Sequence, residues 1–99
     1  MWFVYLLRHT ETEQTYIGAT SDLKKRLQQH NRGEQKSTRR KDGRWMLVYT
    51  EVYRSKDDAF EREKRLKSHG SAKHELFKRI RKSLLTVNYE TPFYYLNLI

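Results

Sequence analysis

The sequence predicts one small domain of the α/β class, more narrowly α+β, spanning residues 1–99. Three observations support this expectation. Ninety-nine residues suffice for one hydrophobic core and leave little for a second. Three runs rich in β-branched and aromatic residues stand at 2–8, 15–19 and 45–53. Between and after them lie three segments with caps and apolar residues at helical spacing. Apolar residues make up 36% of the chain against 33% charged, so the core must rest on leucines and aromatics, with seven tyrosines conspicuous among them.

The elements follow in order. WFVYLLR (2–8) is strand-like and ends in the polar stretch HTETEQ. TYIGA (15–19) resumes the β-prone character, and the two runs are expected to pair as an antiparallel hairpin. Thr20 or Ser21 is expected to cap a helix with Asp22 in its first turn, running to His30 or Asn31. RGEQKSTRRKDGR (32–44) has two glycines, many cations and no apolar period, which predicts a mobile basic loop. Lys36, Arg39, Arg40 and Lys41 in that loop are candidate phosphate grips, against the plainer reading of a solvated linker. WMLVYTEVY (45–53) is the best strand of the chain. Ser55 with Asp58 three residues on opens a second helix, expected over 56–68. Gly70 ends it, and Ser71 starts a third helix with Leu76, Phe77, Ile80 and Leu84 on one face and Lys78, Arg79, Arg81 and Lys82 on the other. The tail VNYETPFYYLNLI is too apolar for a free end, and it is expected to add to the core or to pack in a homo-oligomer.

Composition narrows the function classes. No cysteine is present, which excludes disulfide frameworks and thiolate metal sites, and the four histidines lack zinc-finger spacing. No apolar run reaches the length of a bilayer span, and the start is too short for a signal peptide, so a cytoplasmic protein is expected. The net charge of +9 points to a polyanionic partner, most simply nucleic acid, with solubility alone as the plainer alternative. A membrane surface is disfavoured, because no helix pairs a wide apolar face with an all-basic one.

Helical rotation of about 100° per residue separates candidate site residues from background. On the first helix Leu23 and Leu27 mark the buried stripe, with Arg26 and His30 stacked at its edge. On the second, Ala59, Phe60 and Leu66 define the buried arc; Glu63 falls inside it, Lys67 near its edge, and Glu61 faces away. An inward carboxylate is costly unless paired or metal-bound, and the plainer reading is an ion pair of Glu63 with Arg26 or Lys67. Tyr5 and Tyr16, taken singly, read as packing residues, and His30 as a satisfied histidine. Convergence of two phenols, an arginine, an imidazole and a carboxylate in a basic chain favours a site.

These residues resemble the GIY-YIG nuclease superfamily, in particular its small stand-alone bacterial members. Phe3-Val4-Tyr5 stands at the GIY triplet, Tyr16-Ile17-Gly18 matches YIG, and the signature continues through Thr20, Leu23, Arg26 and His30-Asn31. In DDAFEREKRLK, alanine followed four residues later by glutamate places the family's metal-binding acid at Glu63. The resemblance covers residues 2–68; the basic helix and aromatic tail of 71–99 lie outside it. It implies a small three-stranded antiparallel sheet flanked by helices, and hydrolysis of phosphodiester bonds dependent on Mg²⁺ or Mn²⁺. By the same resemblance Glu63 holds the metal, Arg26 neutralises phosphate charge, and Tyr5 activates the attacking water with Tyr16 or His30 as its partner. A phenol titrates near 10, so that role calls for nearby positive charge, expected from Arg26, Lys67 and the metal. Gly18 allows close backbone approach.

Two departures stand out. Phe3 replaces the first glycine of the triplet, and neither Asn88 nor Asn97 aligns with the family's late asparagine. The implied function is an endonuclease acting on DNA, in repair or recombination, with Lys67 and the basic loop binding nucleic acid. The alternative is a nucleic-acid-binding module that keeps the fold with little turnover. Larger relatives choose targets through attached domains, so weak sequence specificity, or a partner protein that delivers substrate, is expected.

Overall fold

The opening apolar run has both faces covered, and this decides the architecture. The computed structural model describes residues 1–68 and 70–86. Strands β1 (Trp2–His9), β2 (Thr15–Thr20) and β3 (Trp45–Tyr53) form an antiparallel sheet in the order β2-β1-β3, which places the most apolar strand in the centre. Side chains alternate across a strand, so Val4 and Leu6 face one side and Phe3, Tyr5 and Leu7 the other. Val4 and Leu6 join Ile17 and residues of helices α2 (Lys56–Lys67), α3 (Ser71–Arg79) and α4 (Arg81–Leu85). Phe3, Tyr5 and Leu7 pack with Leu23 and Leu27 of helix α1 (Leu23–Asn31) and with Trp45. The result is the three-stranded sheet flanked by helices that the sequence led us to expect. The tail 87–99, with Asn88 and Asn97, and His69 lie outside the described residues.

β3 carries one residue more than its partner requires. Leu6 pairs with Tyr49 but Leu7 with Leu47, leaving Val48 as the extra residue of a bulge. Trp45 and Leu47 therefore face α1, whereas Tyr49 and Tyr53 pack on the α2 side.

Glu51, also on β3, gathers four donors. It accepts hydrogen bonds from Tyr49 Oη (2.7 Å), Tyr53 Oη (2.6 Å), Arg62 Nε (2.9 Å) and Arg62 Nη2 (3.0 Å). The two-pronged guanidinium contact joins β3 to α2. Burial opposes the charge on Glu51, but Arg62 and the two phenols outweigh it and hold the carboxyl below its usual range. The same arrangement pushes Tyr53 up to about 12, chiefly through burial and its bond to Glu51.

Four details differ from expectation. The α1 cap is Asp22, whose side chain accepts from Lys25 N at 3.0 Å, while Thr20 Oγ1 holds the preceding turn by accepting from Asp22 N. The basic loop contains a 3-10 turn, Lys36–Thr38, whose Thr38 is buried, because Trp45 Nε1 donates to the Thr38 carbonyl at 2.7 Å. The third helix is two, α3 and α4, bent at Ile80, and the bend brings Leu76, Ile80 and Leu84 to one apolar cluster. Phe60 is 43% exposed and meets Trp2 edge-on at 5.5 Å rather than entering the core. The buried arc of α2 is centred on Ala59 and Leu66, which rotates Phe60 outward and brings Arg62 in. Among the described residues no helix is long and apolar enough to cross a membrane.

Replacing Glu51 by alanine removes the acceptor of two phenols and a half-buried guanidinium. The expected cost is about 2 kcal/mol, read as a lower urea midpoint with an unchanged m-value.

Candidate active site

Gly18 of β2 pairs directly with Tyr5 of β1, and the Tyr5 ring lies across it. A Cβ at position 18 would overlap the Tyr5 hydroxyl, so the phenol occupies the place a side chain would take. From there Tyr5 Oη is 2.8 Å from His30 Nε2, and His30 Nδ1 is 2.7 Å from Thr38 Oγ1. All three side chains are buried. Tyr16 stands against them, its ring centroid 4.8 Å from that of His30 and 6.2 Å from that of Tyr5. The geometry brings the two phenols and the imidazole of the sequence-based set into mutual contact.

The charged members act on the same space. Arg26 lies one turn before His30 on α1, half-buried, and its charge lowers both the Tyr5 and the His30 pKa. Burial is the larger influence in each case. It drives Tyr5 well above the ordinary phenol range, with Tyr16 and Glu63 adding to the effect and Arg26 opposing it. It takes His30 down to about 4, with Arg26 reinforcing. Arg26 pulls the Tyr5 pKa down in the direction expected, but desolvation of the phenolate exceeds that pull. At neutral pH both partners of the Tyr5–His30 bond are uncharged.

Glu63 is half-buried on α2 and paired with Lys67 at 3.2 Å, the ion pair anticipated as the plainer reading. Lys67 Nζ also lies 5.5 Å from the Tyr16 ring centroid. Glu63 and Lys67 therefore flank the phenols from the α2 side. Among the described residues no three acidic or histidine side chains cluster as a metal cage, so Glu63 stands as a single carboxylate donor. That suits magnesium or manganese, which keep waters and take remaining oxygens from a phosphate.

The basic loop is only partly free to grip a ligand. Arg40 donates through Nε and Nη2 to Gln14 Oε1 at 3.0 and 2.6 Å, and its guanidinium lies 5.5 Å from the Trp45 ring centroid. Arg39 Nε donates to the Gly33 carbonyl at 2.8 Å, while Lys36 and Lys41 are exposed. Arg40 borders the site, since Trp45 meets Tyr16 at 6.4 Å. Sequence reasoning missed Thr38, which no periodicity distinguishes inside a polar loop. It also left Asn31 without a task. The Asn31 amide exchanges two bonds with the Trp45 backbone, accepting from N at 2.6 Å and donating to O at 3.0 Å, which ties the end of α1 to the start of β3.

Comparison with known proteins bears on the family and the fold. The family model for the GIY-YIG catalytic domain matches residues 1–77. A UPF0213 protein of Cronobacter sakazakii is 35% identical over 66 residues, covering 67% of this chain and 68% of that one. The solution NMR structure of a UPF0213 protein from Bacillus halodurans superposes with a TM-score of 0.50 at 26% identity, over 92% of this chain and 100% of that one.

Gly18→Ala is expected to displace the Tyr5 ring and to lower stability by about 1–3 kcal/mol, seen as a lower unfolding midpoint and loss of the Tyr16–His30 ring-current shifts. The His30 pKa carries a further consequence. Its folded value near 4 lies below the ordinary 6.5, so between these pH values the unfolded chain binds a proton that the folded one refuses. The associated stability is complete above about pH 6.5 and is lost as pH falls toward 4, by about 3 kcal/mol. Urea midpoints of the wild type and His30→Asn across that window should converge as the pH drops.

Proposed function

The chain belongs to the GIY-YIG catalytic-domain family, and on that premise we propose that it is a divalent-metal-dependent endonuclease hydrolysing phosphodiester bonds in DNA. The convergence of Tyr5, Tyr16, Arg26, His30 and Glu63 supports this reading most directly. A module that only binds nucleic acid has no use for a carboxylate that repels phosphate, and here Glu63 is held beside the phenols.

Each residue has a task in such a reaction. Arg26 presents a planar, permanently charged group to the phosphate oxygens, where charge builds as water attacks phosphorus. Glu63 would hold Mg²⁺ or Mn²⁺, which when bound supplies charge neutralisation at the scissile phosphate. Lys67, now paired with that carboxylate, would be free to turn its ammonium to the nucleic-acid backbone. Substrate entry must open the Tyr5 hydroxyl, closed to water in the empty site, so that it accepts a hydrogen bond from the attacking water while donating its own proton toward His30 Nε2. Uptake of a proton by His30 is unfavourable in the empty site, and entry of the negatively charged phosphate offsets the effect of Arg26 and eases it. Tyr16 keeps the two rings in place, and Arg40, with Lys36, Arg39 and Lys41, steers the backbone toward the site.

Repair or recombination, where cleavage follows DNA shape rather than sequence, is the setting we propose for it. The deciding experiment is cleavage of end-labelled duplex, single-stranded, flap and branched DNA with Mg²⁺ or Mn²⁺, wild type beside Glu63→Gln. The expected outcome is metal-dependent cutting that falls by at least about 10³-fold in the variant, with DNA binding retained or tightened. Equal inactivity of both proteins, with salt-sensitive binding kept, would replace this reading by that of a binding module.

A further inference from the structure

We infer that Thr38 is a positioning residue: its hydroxyl fixes the His30 imidazole with hydrogen on Nδ1, leaving Nε2 bare to receive the Tyr5 proton during hydrolysis. This rests on the nuclease reading for its catalytic part and on hydrogen-bond geometry for the rest.

The direction of the chain follows from what each group is able to donate. The Thr38 hydroxyl lies 3.4 Å from the Gln35 carbonyl and 2.7 Å from His30 Nδ1. With its hydrogen turned to the Gln35 carbonyl, the Thr38 hydroxyl offers its lone pairs to Nδ1–H, which is the arrangement that the Tyr5 bond requires. A neutral imidazole carries one such hydrogen, which leaves Nε2 as the acceptor for the Tyr5 hydroxyl at 2.8 Å. The reverse arrangement strands a group. If Nε2 carried the hydrogen, the buried Tyr5 O–H would need another acceptor, and among the described residues His30 is its only hydrogen-bond partner.

Thr38 is itself held for this purpose. Trp45 Nε1 fixes its carbonyl at 2.7 Å, and Asn31, next to His30 in the chain, fixes the Trp45 backbone. The imidazole and the hydroxyl that orients it are thus anchored to the same end of α1. When water loses its proton to Tyr5 and Tyr5 passes its own to His30 Nε2, the imidazolium formed still donates from Nδ1 to Thr38. No bond in the chain has to be remade.

The test uses the full-length protein with Thr38→Val, nearly the same shape without the hydroxyl, and Thr38→Ser, which restores it. Nitrogen-15 NMR of the His30 ring in the wild type should show Nδ1 protonated and Nε2 bare. Thr38→Val should shift the ring toward the other tautomer and lower kcat by about 10- to 100-fold with KM within about two-fold. Thr38→Ser should recover both. A Thr38→Val protein that keeps the wild-type tautomer overturns the inference whatever its activity, as does a changed tautomer with undiminished kcat. If the tautomer changes while the wild type cleaves no DNA, the hold of Thr38 on His30 stands and the nuclease reading falls.

Discussion

The burial of the Tyr5 hydroxyl is the constraint on which the rest of the site depends. β1 is central, and Val4 to Leu7 are closed to water on both faces, so a polar group there must find its partner inside the protein. Leaving it unpaired would cost about 1–3 kcal/mol. Three sequence choices meet the demand. Gly18 leaves room for the ring, His30 brings an acceptor from α1, and the loop before β3 folds inward to orient that acceptor through Thr38. The bonds that make β1 tolerable as a central strand are the same ones that join Tyr5, His30 and Thr38.

The two inward carboxylates show how burial alone fails to mark function. Side-chain exposure is 16% for Glu51 and 23% for Glu63, a small difference. Their partners differ greatly. Glu51 takes four bonds from two phenols and a guanidinium, and its capacity is filled by the fold. Among the described residues Glu63 has one ion-pair partner, the ammonium of Lys67, itself 48% exposed on a flexible stem. A lysine so placed neutralises the carboxylate at rest and yields it at small cost. The helix α2 thus carries a structural charge pair on one flank and an exchangeable one on the other.

Much of this was legible in the sequence, and the reasons differ by element. The strands declared themselves by β-branched and aromatic runs, and the stripe of Leu23 and Leu27 set Arg26 and His30 beside it, where His30 is buried with the leucines and Arg26 is half-buried. Helical rotation placed Glu63 inward without reference to any family. The same method misjudged Phe60, since a wheel weights size and apolarity while the sheet selects the small Ala59 for close approach. Thr38 was hidden because tertiary bonds from Trp45 and His30 bury it, and a loop of mixed polar residues has no period to betray one inward member. The bend at Ile80 and the transfer of the α1 cap to Asp22 belong to the residue-level choices that only packing resolves. The extent of the depressed His30 and elevated Tyr5 pKa values was illegible too, because it arises first from desolvation and only then from the charge neighbours visible in the chain.

The extra residue in β3 has a consequence for how this fold tolerates change. Before Val48 the odd-numbered positions look toward α1, and after it they look toward α2. Val48 is in effect a parity switch within a strand that reads as uniform. Substitution there alters one side chain, whereas deletion would set Leu47 directly before Tyr49, opposite Leu7 and Leu6, and give a regular strand in which Trp45 and the Glu51 cluster keep the faces they have. What the strand would give up with Val48 is the local bend and added twist of the bulge, so descendants of this chain can lose that residue without turning either cluster to the wrong face.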